Sequence, residues 1–174
     1  MNLLFRAVWV LLAALRRSHL DPLDESVVRF RVLPNDLDVN LHMNNGRYLA
    51  LMDLGRLDLI ARMGVTRALA KRRWRPVVGS LAIRFRRALE PFETYELRSR
   101  LVCWDEKWFY IEQRFEREGR VVALAVLKGL FFGPEGNVAP QAVVDLARHP
   151  LASPPMPDAI AAWQAAEAEL LSVS

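Results

Sequence analysis

The sequence predicts an α+β domain in which one antiparallel sheet wraps around a single long helix. Three patterns predict it. From Pro76 onward, apolar residues recur at period two in successive segments, the spacing of strands. Between Asn45 and Met63, Tyr48, Leu51, Met52, Gly55 and Leu59 recur at helical spacing instead. Val121–Phe132 is apolar on both faces for most of its length, as expected of a central strand covered on both sides.

The elements follow in chain order. Met1–Leu15 is nearly all apolar, interrupted by Arg6 and followed by Arg16 and Arg17. It is shorter than the roughly 20 residues that span a bilayer, and no small-residue cleavage site follows it. A helix packed on the domain, or one lying on a membrane surface through residues 1–17, is expected. Val27–Val32 sets Val28, Phe30 and Val32 against Arg29 and Arg31, a half-buried strand. Asn44 or Asn45 is suited to cap the helix Asn45–Met63, and Gly64 to stop it. Gly55 weakens that helix relative to alanine, so a close approach of sheet to helix is expected there. Thr66–Arg73 reads as a short second helix capped by Thr66.

Four strands then follow: Pro76 to about Ala88, Tyr95–Trp104, Trp108–Arg117 and Val121–Phe132. Pro91 to Glu93, Asp105-Glu106-Lys107 and Glu118-Gly119 are the turns between them. Gly133-Pro134-Glu135-Gly136 ends the last strand, and Ala139–Ala147 reads as helical. Ser153–Pro157 is a linker into a C-terminal helix, Asp158–Leu170, capped by Asp158. The organisation is an N-terminal helix over residues 1–20, one domain over 21–150, and a linker with a terminal helix over 151–174.

Composition narrows the function classes. At 174 residues and 52% hydrophobic content, the chain suits one well-packed domain. One cysteine, Cys103, excludes an internal disulfide and fits a reducing, cytoplasmic compartment. The three histidines lie far apart and no cysteine pair exists, so no metal site is expected. Neither phosphate-loop glycine pattern is present. Between Asp58 and Glu90 every charged residue is basic, including Arg84, Arg86 and Arg87. That run reads as a solvated face or as a rim for phosphate groups. Without a recognition helix or stacking platform, nucleic acid is not an expected partner.

The chemistry concentrates in N-D-L-D-V-N-L-H-M-N-N-G-R-Y-L, Asn35–Leu49, at the junction of strand and helix. A carboxylate beside the unpaired N–H groups of a helix start suits attack on a carbonyl and stabilisation of the oxyanion. Asp38 could attack directly or act as general base on water, with the Asn45 and Gly46 amides as oxyanion donors. His42 could orient Asp38 or the water. The same residues have plainer roles: Asp36 and Asp38 as turn formers, Asn44 and Asn45 as caps.

This junction, with P-x-x-G-S-L-A-I-R-F-R-R-A-L-x-P-F at Pro76–Phe92 and K-G-L-F-F at Lys128–Phe132, resembles hotdog-fold acyl-CoA thioesterases. It is most similar to the 4-hydroxybenzoyl-CoA thioesterase-like group, and within it to thioesterase-superfamily-member-6-like proteins. The resemblance covers about Ser26 to Pro140. It implies a sheet wrapped around the helix Asn45–Met63, and a homodimer joined edge to edge, often paired further into tetramers. It also implies hydrolysis of an acyl-CoA without a cofactor. It places the catalytic aspartate at Asp38 and the carbonyl-polarising N–H at Asn45. Asn44, Tyr48, Arg84, Arg86 and Arg87 are the expected contacts to substrate. Some related enzymes carry a histidine where this chain has Asn45, which weighs against a histidine-assisted mechanism. The alternative is a non-catalytic hotdog protein that binds acyl groups or partners.

Overall fold

In the computed structural model, which describes residues 3–172, a curled sheet holds one helix in its concave face. The strands are β1 (Ser26–Arg31), β2 (Arg75–Phe85), β3 (Thr94–Trp104), β4 (Phe109–Arg117), β5 (Arg120–Gly133) and β6 (Gly136–Val138). All pair antiparallel in the order β1-β3-β4-β5-β2, with β6 added to β5. The helices are α1 (Leu3–Ala14), α2 (Asn45–Arg62), α3 (Thr66–Arg72), α4 (Pro140–Val144) and α5 (Asp158–Ser172). This is the wrapped-helix arrangement expected from the sequence.

The inner face of the sheet supplies Val28, Phe30, Tyr95, Leu97, Phe115 and Leu127, which pack on Tyr48, Leu51 and Met52 of α2. Each such burial is worth about 1.5–3 kcal/mol, so this contact dominates the fold. At its centre the expected close approach is present. A Cβ on Gly55 would lie 2.5 Å from Ser99 Oγ and 2.8 Å from Gln113 Nε2. Gln113, fully buried in β4, donates from Nε2 to the Met52 carbonyl (2.9 Å) and to Ser99 Oγ (2.8 Å). Arg56 Nη1 donates to Gln113 Oε1 at 2.7 Å. The polar groups beneath the missing side chain therefore satisfy one another.

Several boundaries depart from the sequence expectation: β2 ends at Phe85 rather than near Ala88, and α4 at Val144 rather than Ala147. Thr66 is the first residue of α3 rather than its cap. The cap position falls on Val65, already in helical conformation (φ −86°, ψ −12°), without a side-chain bond. Gly64, at φ +76°, makes the turn and leaves no extended residue ahead of the helix for a hydroxyl to serve. Asp158 likewise lies in the first turn of α5, because the Ile160 and Ala161 N–H groups bond the Pro157 carbonyl. Past Gly133 the chain does not simply stop pairing: Gly136, at φ +111°, turns it back into β6.

Helix α1 packs against α2 with Arg6, Val10 and Ala14 inward. Its opposite face, Leu4, Phe5, Val8, Trp9 and Leu12, is exposed. No described helix is long and apolar enough to cross a membrane. On the convex side of the sheet, α5 covers Cys103 and Tyr110 with Ile160 and Trp163. A bulge between Leu101 and Cys103 turns Cys103 to that side while Trp104 joins the inner core. Elsewhere the convex face carries an ion network in which Arg98 meets Glu25 (2.8 Å), Glu96 (2.7 Å) and Glu116 (2.9 Å). At the far edge, β2 pairs only with β5, and most of its eleven residues are exposed.

Candidate active site at the start of the central helix

The loop before α2 is closed on itself. Asp38 donates its N–H to the His42 carbonyl at 2.8 Å, and Leu37 and Met43 form a one-pair bridge. Asp38 Oδ1 accepts from the N–H groups of Asn40 (2.9 Å) and His42 (3.2 Å). Leu41 takes φ +58° at the tip, a conformation unusual for leucine that the closed turn imposes. Asp38 is therefore an Asx-turn former through one oxygen, which leaves Oδ2 as the oxygen for any chemistry.

A second aspartate holds the loop from below. Asp36, fully buried, accepts through Oδ2 from Arg6 Nη2 (2.5 Å) and the Leu33 N–H (3.0 Å), and through Oδ1 from Arg47 Nε (2.9 Å). Its backbone carbonyl accepts from the Asn44 N–H at 2.8 Å. Burial alone would raise the Asp36 pKa. The bonds from Arg6, Leu33 and Arg47 outweigh it and hold the carboxyl below its usual value. One side chain thus ties α1, the loop and the first turn of α2 together. Sequence reading gave Asp36 only a turn-forming role and gave Arg6 none. The one signal in the sequence was a single arginine interrupting an apolar helix.

At the helix start Asn44 is the cap, its Oδ1 accepting from the Gly46 N–H at 2.8 Å. This corrects two expected roles. The Gly46 amide is committed to the cap rather than presented to a ligand, and Asn44 is a cap rather than a cleft residue. Asn45 does face the cleft. A cavity of about 300 Å³ is lined by Asp38, His42, Asn45, Tyr48, Phe85, Arg86, Arg87 and their neighbours Met43 and Ala88. Burial pushes the Tyr48 hydroxyl up to about 12, so it stays protonated. Phe85, which the sequence did not single out, packs edge-on to Tyr48 with ring centres 5.1 Å apart.

Arg84 does not join this group. It borders a separate cavity of about 330 Å³ between β2, β5 and α5, with Ile83, Val126, Ile160 and Trp163. Among the described residues no cluster of three or more His, Cys, Asp or Glu side chains is placed to hold a metal ion.

Comparison with known proteins agrees with the architecture. The Thioesterase-like superfamily matches residues 32–164. The protein THEM6 of Xenopus laevis is 35% identical over 159 residues, covering 90% of this chain and 75% of that one. THEM6 of Danio rerio is 46% identical over 111 residues, 63% of this chain and 55% of the relative. The chain thus spans between about half and three quarters of the length of these relatives. Among solved structures, a gentisyl-coenzyme A thioesterase superposes with TM-score 0.63 at 20% identity, over 69% of this chain and 99% of that one. A Staphylococcus aureus protein solved in complex with CoA gives TM-score 0.64 at 11% identity, over 74% and 85%. At these identities the solved structures speak for the fold, the sequence matches for descent, and both agree: the chain is a hotdog-fold member of the thioesterase-like superfamily, with THEM6 proteins among its relatives.

Proposed function

We propose that the protein hydrolyses an acyl-CoA thioester to a free carboxylic acid and coenzyme A. The observation that carries this reading is the convergence of Asp38, Asn45, Tyr48, Arg86 and Arg87 on one cleft at the start of α2. Asp38 Oδ2 takes a proton from water, whose oxygen attacks the thioester carbon. The oxyanion that forms accepts from the Asn45 N–H at the positive end of α2. Collapse breaks the C–S bond, and the thiolate leaves with the proton. Direct attack by Asp38, through a mixed anhydride that water then opens, gives the same products. Arg86 and Arg87 meet the nucleotide phosphates of the coenzyme. His42 serves through its backbone, which closes the turn around Asp38.

Asp38→Asn is the direct test, because an amide oxygen still accepts the two turn N–H bonds. Thiol release over short, long and aromatic acyl-CoAs should fall by at least about 100-fold, with the melting temperature little changed. Unchanged turnover would remove Asp38 from the mechanism. Tight acyl-CoA binding with no turnover of any thioester by the native protein would instead support a binding protein.

Two features of the assembly belong to the same proposal. The free edge of β2 carries exposed Val77, Val78 and Phe85, the pattern of a strand that pairs with another copy. We therefore assign the homodimer interface to β2. The outward face of α1, apolar and followed by Arg16 and Arg17, suits the surface of an anionic membrane. If it docks there, Trp9→Glu with Phe5→Glu abolishes flotation with anionic liposomes. Equal flotation of both proteins rules this contact out.

A further inference from the structure

The loop that carries Asp38 is a short hairpin. The Asp36 carbonyl accepts from the Asn44 N–H, Leu37 bridges Met43, and the Asp38 N–H donates to the His42 carbonyl. One arm presents Asp38, and the other runs straight into Asn45. Cross-linked in this way, the two arms move as one piece. The tilt of the hairpin against α2 then decides where Asp38 Oδ2 stands relative to the Asn45 N–H. Two contacts fasten the hairpin to other parts of the fold. The Met43 N–H donates to the Leu89 carbonyl at 2.8 Å. On the other arm, the Asp36 carboxylate accepts from Arg47 on α2 and from Arg6 on α1.

Arg6 is the one charged side chain of α1, and it is fully buried. The helix has other means of docking. Leu3, Ala7 and Val10 pack in the main core, and just past the helix end Arg62 Nε donates to the Ser18 carbonyl at 3.0 Å. Stability gives little reason to bury an arginine here, since apolar side chains of similar volume serve as well as a buried ion pair or better. What the pair supplies is direction. A guanidinium meets a carboxylate in a fixed planar geometry, which an aliphatic contact does not impose. Asp36 takes Arg6 on Oδ2 and Arg47 on Oδ1, so its carboxylate is clamped between α1 and the first turn of α2.

We propose that Arg6 is a positioning residue for thioester hydrolysis: through Asp36 it fixes the hairpin so that Asp38 Oδ2 faces the reacting carbon. This rests on the hydrolase reading above and adds α1 to the parts the reaction needs. Arg6 does not line the Asp38 cleft, so it acts only through Asp36 and the hairpin. A displacement of about 1 Å at a reacting group lowers the rate by up to about 100-fold. The cleft residues Arg86 and Arg87 lie on a different segment, so substrate binding is spared and the loss falls on kcat.

The test compares Arg6→Met with the double variant Arg6→Met and Asp36→Asn, each in the full chain. Arg6→Met should lower kcat by at least about tenfold while KM for acyl-CoA stays within about twofold of native. The double variant no longer strands a buried carboxylate, so it should unfold at higher urea than Arg6→Met while its kcat stays low. A kcat that recovers together with the urea midpoint makes the pair a matter of stability alone and overturns the positioning role. Native kcat in either variant does the same. Should Arg6→Met fail to fold, Arg6→Lys keeps the charge and loses the fork, and it should still lower kcat by at least about threefold. In the Asp38→Asn background, Arg6→Met should lower the residual turnover by less than about twofold, because the group it positions is gone. Equal losses in both backgrounds mean a folding defect and count against positioning. Amide hydrogen exchange reads the clamp without turnover. In the double variant the Asp38, His42 and Asn44 N–H groups should exchange at least about tenfold faster, and those of β4 should change less. Unchanged exchange of the hairpin removes the clamp. Faster hairpin exchange, with no thioester cleaved by the native protein, leaves the clamp standing and removes the hydrolase reading.

Discussion

Asp36 is held by three donors in a place no water reaches, and its partner Arg6 comes from the helix expected, in sequence, to pack on the domain or lie on a membrane surface. Removing one side of a buried ion pair strands the other, so Arg6→Met should cost about 3–5 kcal/mol in urea unfolding. The pH dependence follows from the direction of the shift. Because the folded carboxyl titrates below its unfolded value, it adds stability above the ordinary carboxylate range near about 4. That contribution is lost as the pH falls through the folded value. Melts between pH 7 and pH 3 should therefore show a flatter acid limb for Asp36→Asn than for the native chain. An equal slope would mean that other carboxylates carry the acid transition. The candidate cleft was legible in sequence where it is local: Asp38, Asn45 and Tyr48 lie within one loop and helix start, where spacing alone fixes geometry. The Arg6–Asp36 pair spans thirty residues and two packed elements. No local pattern announces such a pairing.

The helix α2 and strand β2 show how element geometry decides what a residue can do. Gly55→Ala should gain up to about 1 kcal/mol of helix propensity. It must also push Ser99, Gln113 and Leu97 from positions 2.5–2.9 Å from the new Cβ. Overpacking of this kind costs about 1–3 kcal/mol, so the net change is a lower melting temperature. A rise would show that the sheet yields more easily than its packing suggests. Strand alternation alone would place Arg84 and Arg86 on one face. Instead β2 ends at Phe85, and the N–H groups of Arg86 and Arg87 both bond the Val122 carbonyl (2.8 and 3.1 Å). That kink turns Arg86 and Arg87 into the cleft and leaves Arg84 beside α5. Arg86→Ala with Arg87→Ala should raise KM for acyl-CoA by about tenfold, with no change for the matching acyl-pantetheine, which lacks the nucleotide. Arg84→Ala should leave both values near native. An equal effect on the two substrates would separate the arginines from phosphate binding. The long periodic elements were readable because burial on one face imposes their period. The caps of α3 and α5 and the three-residue β6 were not, since they depend on single backbone angles.

For the whole molecule, the unpaired side of β2 is the feature that most needs a partner. Val78→Glu places a charge on that edge and should yield a monomer in sedimentation equilibrium while the far-ultraviolet spectrum stays native. If the variant associates to the same extent as the native chain, the proposed β2 interface is wrong. The convex face offers little competition, because α5 covers one part of it and matched arginine and glutamate side chains occupy much of the rest. A third cavity, of about 410 Å³, lies between the second half of α2 and the sheet, so the three cavities border β2 at its beginning, its middle and its end. A strand with that many neighbours has little freedom to drift during evolution, since one substitution alters assembly and two walls at once. Variation in specificity among descendants of this chain should therefore accumulate on the α2 side, at positions such as Leu57 and Ile60, where a change reshapes one wall and nothing else.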